Sequence, residues 1–138
     1  MTVMEENEMR MARVLLVDDE VAYTVNISRL LSRRGYRVTA VNDGESAIRA
    51  IEDEEYDVVV LDLRMPGMDG MATLKLMKRK RPLLEVIILT GHGSVDSGVQ
   101  GMHLGAFDYA MKPIQISELL EKINQAFERK LIQEGKAS

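Results

Sequence analysis

Residues 58–62 read VVVLD, four apolar residues, three of them β-branched, ending on an acid. A run this short, with no polar alternation, is the pattern of a strand buried on both faces, as in a parallel sheet covered by helices. The pattern occurs twice more. Val14-Leu15-Leu16-Val17 runs into Asp18-Asp19, and Val86-Ile87-Ile88-Leu89 runs into Thr90. Segments with apolar residues at helical spacing lie between these runs, so the chain is expected to alternate parallel strands with helices on both sides of the sheet.

The remaining elements follow outward from these strands. The spacing of Ile27, Leu30 and Leu31 predicts a helix over Val21 to Arg34, stopped by Gly35. Tyr36 to Val41 alternates and is expected to be a strand towards a sheet edge. Asn42-Asp43-Gly44 forms a turn and cap before a short helix through Ala47, Ile48 and Ile51. The loop Leu63 to Gly70 is punctuated by proline and glycine, and a helix follows from Met71. A helix from Ser94 to Leu104, a fifth strand near Phe107 to Met111 and a last helix from Ile116 to about Ile132 complete the pattern. With no internal repeat or linker, this is one doubly wound α/β domain.

Composition narrows the function classes. The 138 residues carry a net charge of −4, with 46% hydrophobic and 29% charged residues, which excludes disorder, a collagen-like repeat and a chain-long coiled coil. A mildly acidic domain is not built to grip nucleic acid by itself. The basic run Lys78-Arg79-Lys80-Arg81 reads as the last turn of a helix, where cations complement the carbonyl end of the dipole. There are no cysteines, so disulfides and thiolate chemistry are excluded and a reducing compartment is expected. No stretch approaches the ~20 apolar residues of a membrane helix, and MTVMEENEMR (1–10) lacks the build of a secretion signal. A cytoplasmic protein with no membrane partner is therefore expected. Residues 1–11 read as a flexible extension, and most of the ten methionines as core filler.

In open parallel sheets, chemistry gathers at the carboxyl ends of the strands. Here those ends carry Asp18, Asp19, Asp62, Thr90 and Lys112. Three carboxylates brought together repel one another, and a hard divalent cation relieves the repulsion; oxygen-only ligands favour Mg²⁺. His92 and His103 lack metal-ligand spacing and read as ordinary loop and helix residues. A metal, a lysine and a hydroxyl make a place to handle phosphate, and a carboxylate can itself be the nucleophile, giving an acyl phosphate. Capping of the first helix by Asp18 and Asp19 does not account for Asp62, Thr90 and Lys112 on other strands.

The segments VLLVDDE (14–20), VVVLDLRMPGMDG (58–70), LTGHG (89–93) and GAFDYAMKP (105–113), in this order and spacing, resemble the receiver domains of two-component response regulators. The resemblance covers about residues 12–130, leaving 131–138 as a tail or the start of a linker helix. It implies a flavodoxin-like, five-stranded parallel sheet of order 2-1-3-4-5 with five helices. It further implies that Asp62 accepts a phosphoryl group from a histidine kinase or phosphotransfer protein. Asp18, Asp19, Asp62 and the backbone carbonyl of Arg64 would hold Mg²⁺. Lys112 would pair with the phosphoryl group, with a cis bond to Pro113. Thr90 and Tyr109 would form the switch that changes the surface of the fourth helix, fifth strand and fifth helix.

Two positions that tune phosphate lifetime in such domains are Arg64 and His92 here. An arginine at the mouth of the site either pairs with phosphate or crowds the path of water, giving a moderate to long lifetime; the alternative is a solvent-facing side chain with no kinetic role. The expected partners are a kinase or phosphotransfer protein and a downstream effector or an output domain missing from this chain. A homodimer through the switch surface is also in reach. Leu131 and Ile132 lie past the core-facing run of the last helix and could extend it into a dimer or linker helix. The domain is expected to be no enzyme beyond its own phosphorylation and dephosphorylation. The rival reading is an aspartyl-nucleophile phosphatase of the haloacid-dehalogenase type, whose DxD run follows the first strand rather than the third. A flavin module is a distant third, lacking a phosphate loop after the first strand.

Overall fold

A computed structural model describes residues 11–65, 67–91 and 95–135. The strands are β1 (Arg13–Val17), β2 (Arg37–Val41), β3 (Val58–Leu61), β4 (Glu85–Thr90) and β5 (Asp108–Met111). They alternate with α1 (Val21–Arg33), α2 (Gly44–Asp53), α3 (Gly70–Lys80), α4 (Val95–His103) and α5 (Ile116–Gln133). All four strand pairings are parallel and the order is β2-β1-β3-β4-β5. The alternating segment is an edge strand, and the unbroken apolar runs of β1, β3 and β4 are interior.

Side chains along each interior strand divide between two cores. Leu15, Val17, Val59, Leu61, Val86 and Ile88 pack against α2 and α3 through Ala47, Ile48, Ile51, Leu74 and Met77. Val14, Leu16, Val58, Val60, Ile87 and Leu89 pack on the other face against Ile27 and Leu31 of α1 and Leu119, Ile123 and Ala126 of α5. Burying each such Leu or Ile contributes ~1.5–3 kcal/mol, so both faces of the sheet are closed by apolar burial. Gly101 sets α4 on the α2–α3 face: a Cβ there would meet Ile88 Cδ1 at 2.4 Å.

Several boundaries differ from the sequence expectation by a residue, for local reasons. Tyr36 lies outside β2 because its N–H bonds back to Leu31 O at the end of α1. Gly35 takes the left-handed φ of +95° that ends that helix. The third helix starts at Gly70, not Met71, since Asp69 caps it by accepting the Ala72 N–H at 2.9 Å. Asp43 caps α2 as expected, accepting the Ser46 N–H at 2.7 Å. Ser94 lies outside the described residues, and α4 begins at Val95. The last helix passes residue 130 without a break, and Leu131, expected beyond the core-facing run, is buried while Ile132 is exposed.

The basic run ending α3 is used within the domain. Lys78 Nζ donates to the carbonyls of Pro82 and Leu84, both at 2.8 Å, and Arg81 Nε to Ile51 O at 3.0 Å. Among the described residues, no helix is long and apolar enough to cross a membrane.

Candidate functional site

The parallel register brings the ends of three strands level. Val17 of β1 pairs with Leu61 of β3, and Leu61 with Ile88 of β4. Asp18 and Asp62 are the first residues past β1 and β3, and Thr90 is the last of β4, so the three come together at the carboxyl edge of the sheet. Backbone bonds hold them there: Asp62 N–H to Val17 O at 2.9 Å, Asp18 N–H to Val41 O at 3.2 Å and Lys112 N–H to Thr90 O at 2.9 Å. Asn42 Nδ2 donates to Asp18 O at 2.8 Å and ties the β2 end to the same place. The Lys112–Pro113 bond is cis.

Asp18, Asp62 and Thr90 are all buried, at 4%, 3% and 0% exposure. Lys112 reaches across from β5. Its Nζ lies 2.5 Å from Asp18 Oδ2, 3.3 Å from Glu20 Oε1 and 3.7 Å from Asp62 Oδ2. It also stands 4.2 Å from the centroid of the Tyr23 ring. The remaining oxygens accept backbone donors: Asp18 Oδ1 from Glu20 N–H at 2.9 Å and Asp62 Oδ1 from Arg64 N–H at 3.2 Å.

The electrostatics follow from crowding charges in a half-dry pocket. Burial pushes the Asp18 carboxyl above its ordinary value; the Lys112 hydrogen bond and the Glu20 N–H pull it back, and the Asp62 charge pushes it up further. Burial alone would lower Lys112, but the hydrogen bond and charge of Asp18, then Asp62 and Glu20, outweigh it and raise the ammonium. Lys112 therefore stays charged.

Carboxylate oxygens of Asp18, Glu20 and Asp62 lie within 4.8 Å of one another. The grouping differs from the expected trio of Asp18, Asp19 and Asp62. Asp19 is exposed beside this grouping and is not one of its three members, whereas Glu20, also exposed, is. The donor set is all oxygen, buried at two of its three members and acidic, which fits a hard divalent cation of the Mg²⁺ type.

Two participants were missed by the sequence reading, Glu20 and Tyr23. The signals were present: a third consecutive acid at the strand end, and an aromatic three residues on, which a helix brings to the same face. Arg64 is exposed beside the pocket, its N–H on Asp62. His92 lies outside the described residues, and His103 is exposed at the end of α4.

Tyr109 sits on β5 opposite Ile88, half-buried, its ring against Gly98 of α4 and its hydroxyl donating to Met111 Sδ at 3.6 Å. An open groove of about 830 Å³ runs beside it, walled by Val95, Val99, Met102 and Met111.

Comparison with known proteins identifies the family and the fold. Residues 14–124 match the response regulator receiver domain family. Among curated relatives, the transcriptional regulatory protein ZraR of Escherichia coli K12 is 35% identical over 82% of this chain and 26% of its own length. The DNA-binding transcriptional regulator NtrC of the same organism is 38% identical over 82% of this chain and 24% of its own. The chain thus spans about a quarter of the length of these relatives. Among solved structures, a CheY-like receiver domain protein from Methanospirillum hungatei JF-1 superposes with a TM-score of 0.86 at 29% identity, covering 90% of this chain and 99% of that one. A receiver domain protein from Clostridium thermocellum gives 0.85 at 36% identity, covering 89% and 99%. These matches support the receiver reading and not the aspartyl phosphatase. By sequence, fold and the level strand ends that carry its acids, the chain belongs to the receiver domains of response regulators.

Proposed function

We propose that Asp62 is the phosphoacceptor of this domain, taking a phosphoryl group from a phosphohistidine on a sensor histidine kinase or phosphotransfer protein in the cytoplasm. The observation that carries this reading is Lys112, whose ammonium bridges Asp18 and Asp62 at the buried ends of three strands. An Asp62 oxygen forms the new P–O bond as the donor's P–N bond breaks, and the departing imidazole regains a proton from solvent. Lys112 offers its charge to the phosphoryl oxygens, which demands that it leave Asp18 in part. Bound Mg²⁺ would supply neutralisation of charge on the carboxylates and phosphoryl oxygens. The residues to hold it are Asp18, Asp19, Asp62 and the backbone carbonyl of Arg64, with Glu20 an added acid within reach of Asp18 and Asp62. Hydrolysis returns the carboxylate and inorganic phosphate, so the domain's only chemistry is its own phosphorylation and dephosphorylation.

The readout is a two-state element. Phosphate draws the buried Thr90 hydroxyl, and Tyr109 turns into the space released. The groove beside Tyr109 changes shape as it does so, altering the α4–β5–α5 surface offered to an effector, an output domain or a second copy. The relatives named as transcriptional regulators, about four times as long as the matched region, favour an output domain on the same polypeptide. Arg64 at the pocket mouth would lengthen the lifetime of the phosphate, and His92, two residues past Thr90 in sequence, is the second position proposed to tune it.

The test is labelling with a small phosphodonor in the presence and absence of Mg²⁺. The reading expects about one labile phosphoryl group per chain with the metal and little without it. Equal labelling in both, or continuous turnover of a generic phosphate monoester, would contradict it.

A further inference from the structure

We infer that Tyr23 is a positioning residue for Lys112, holding the ammonium inside the pocket by the face of its ring; the inference rests on the phosphoacceptor reading above. Tyr23 lies in the first turn of α1 and is half-buried. Its ring centroid is 4.2 Å from Lys112 Nζ, well inside the range at which an aromatic face attracts a cation. The ring also lines the small cavity bordered by Asp18 and Asp62, so it stands at the site itself and not merely near it.

The arrangement around the ammonium explains what the ring contributes. Asp18, Glu20 and Asp62 draw Lys112 by charge from one side. Charge alone does not fix a flexible four-carbon stem, and Glu20 is largely exposed, so its attraction pulls the lysine towards the mouth of the pocket. The Tyr23 ring attracts the cation without offering a hydrogen bond. Lys112 can therefore slide from Asp18 towards phosphoryl oxygens on Asp62 while still covered by the ring, with no strong bond to break on that side. Burial of the ring raises the Tyr23 hydroxyl above its ordinary value, so it remains a neutral phenol at physiological pH.

The competing explanation is that Tyr23 simply packs the edge of the α1–α5 core, where it touches the apolar cluster. Tyr23→Phe and Tyr23→Leu separate the two roles. Both keep apolar bulk, but only Phe keeps an aromatic face. The full chain with acetyl phosphate and Mg²⁺ should show Tyr23→Phe near the wild-type phosphorylation rate and Tyr23→Leu slower by about fivefold, the cation–π scale. In parallel, the ε-methylene protons of Lys112 should carry an upfield ring-current shift by NMR in wild type and Tyr23→Phe, lost in Tyr23→Leu. A Tyr23→Leu protein as fast as wild type overturns the inference, as does a wild-type Lys112 without the ring-current shift. Equal slowing in Phe and Leu also overturns it, by moving the role to the hydroxyl. A wild-type chain that takes no label contradicts the phosphoacceptor reading instead, while the NMR signature still reports the contact.

Discussion

Lys112 Nζ stands 2.5 Å from Asp18 Oδ2 but 3.7 Å from Asp62 Oδ2, so the lysine is hydrogen-bonded to a neighbouring acid and only ion-paired with the proposed phosphoacceptor. Under the proposed function, a divalent cation held by Asp18 and Asp62 would compete with the lysine for Asp18, and a phosphoryl group on Asp62 would give the lysine a second place to go.

Replacing Lys112 with Met should therefore separate metal binding from phosphorylation. A unit positive charge about 4 Å from a divalent cation costs it ~2 kcal/mol in a water-like dielectric, so its removal should tighten Mg²⁺ binding by about thirtyfold. Phosphorylation by acetyl phosphate should slow, since the phosphoryl oxygens lose their cation. Mg²⁺ titration followed by NMR checks the first effect; weaker binding in Lys112→Met would contradict the competition.

A second buried pair lies at the far end of the sheet. Lys130 Nζ is 2.9 Å from Asp57 Oδ1 and 3.0 Å from Glu134 Oε2, and Asp57 Oδ2 also accepts the Arg13 N–H at 2.8 Å. Breaking such a pair strands a buried charge, so Lys130→Met should cost about 3 kcal/mol in urea denaturation. Phosphorylation should be unchanged, because this end of the domain carries none of the proposed machinery. A loss below about 1 kcal/mol would mean the pair behaves like an exposed one.

Glu85, at the same end, makes stability depend on pH. Burial raises its carboxyl above the ordinary 4.5, against the pull of Arg129 and Lys78. A raised folded-state value means the folded protein binds the extra proton. Glu85 then contributes most below 4.5, and that contribution is lost as pH rises through the raised value. Glu85→Gln should lose less stability than wild type between mildly acidic and neutral pH, measured as urea midpoints. A steeper decline in the variant would reverse the sign of the argument.

Arg64 is exposed at the pocket mouth with its backbone on Asp62. If its guanidinium pairs with phosphate or crowds the path of water, Arg64→Ala should lose phosphate several-fold faster under Mg²⁺. A decay rate equal to or slower than wild type would remove Arg64 from lifetime control.

The fold was legible because its three interior strands are unbroken apolar runs, each ending on the residue that reaches the site. Asp18, Asp62, Thr90 and Lys112 were legible for the same reason. Strand direction and parallel register leave their ends little choice of place. Glu20 and Tyr23 were harder to read, since their part depends on which way side chains turn at the strand-to-helix junction. Lys130 was hidden in plain view. It continues the buried stripe Leu119, Ile123, Ala126 at helical spacing, but a lysine there reads as the start of a solvated end. Only the partner Asp57, 73 positions away, reveals that it is interior. Glu85 likewise precedes an apolar run and is buried with it.

The central claim is that Asp62 carries the phosphoryl group, and intact mass after incubation with acetyl phosphate and Mg²⁺ tests it most directly. Wild type should gain one phosphoryl group that is lost on standing at neutral pH, and Asp62→Asn, folded by circular dichroism, should gain none. Equal labelling of the two proteins, or no labelling of wild type, would contradict the account.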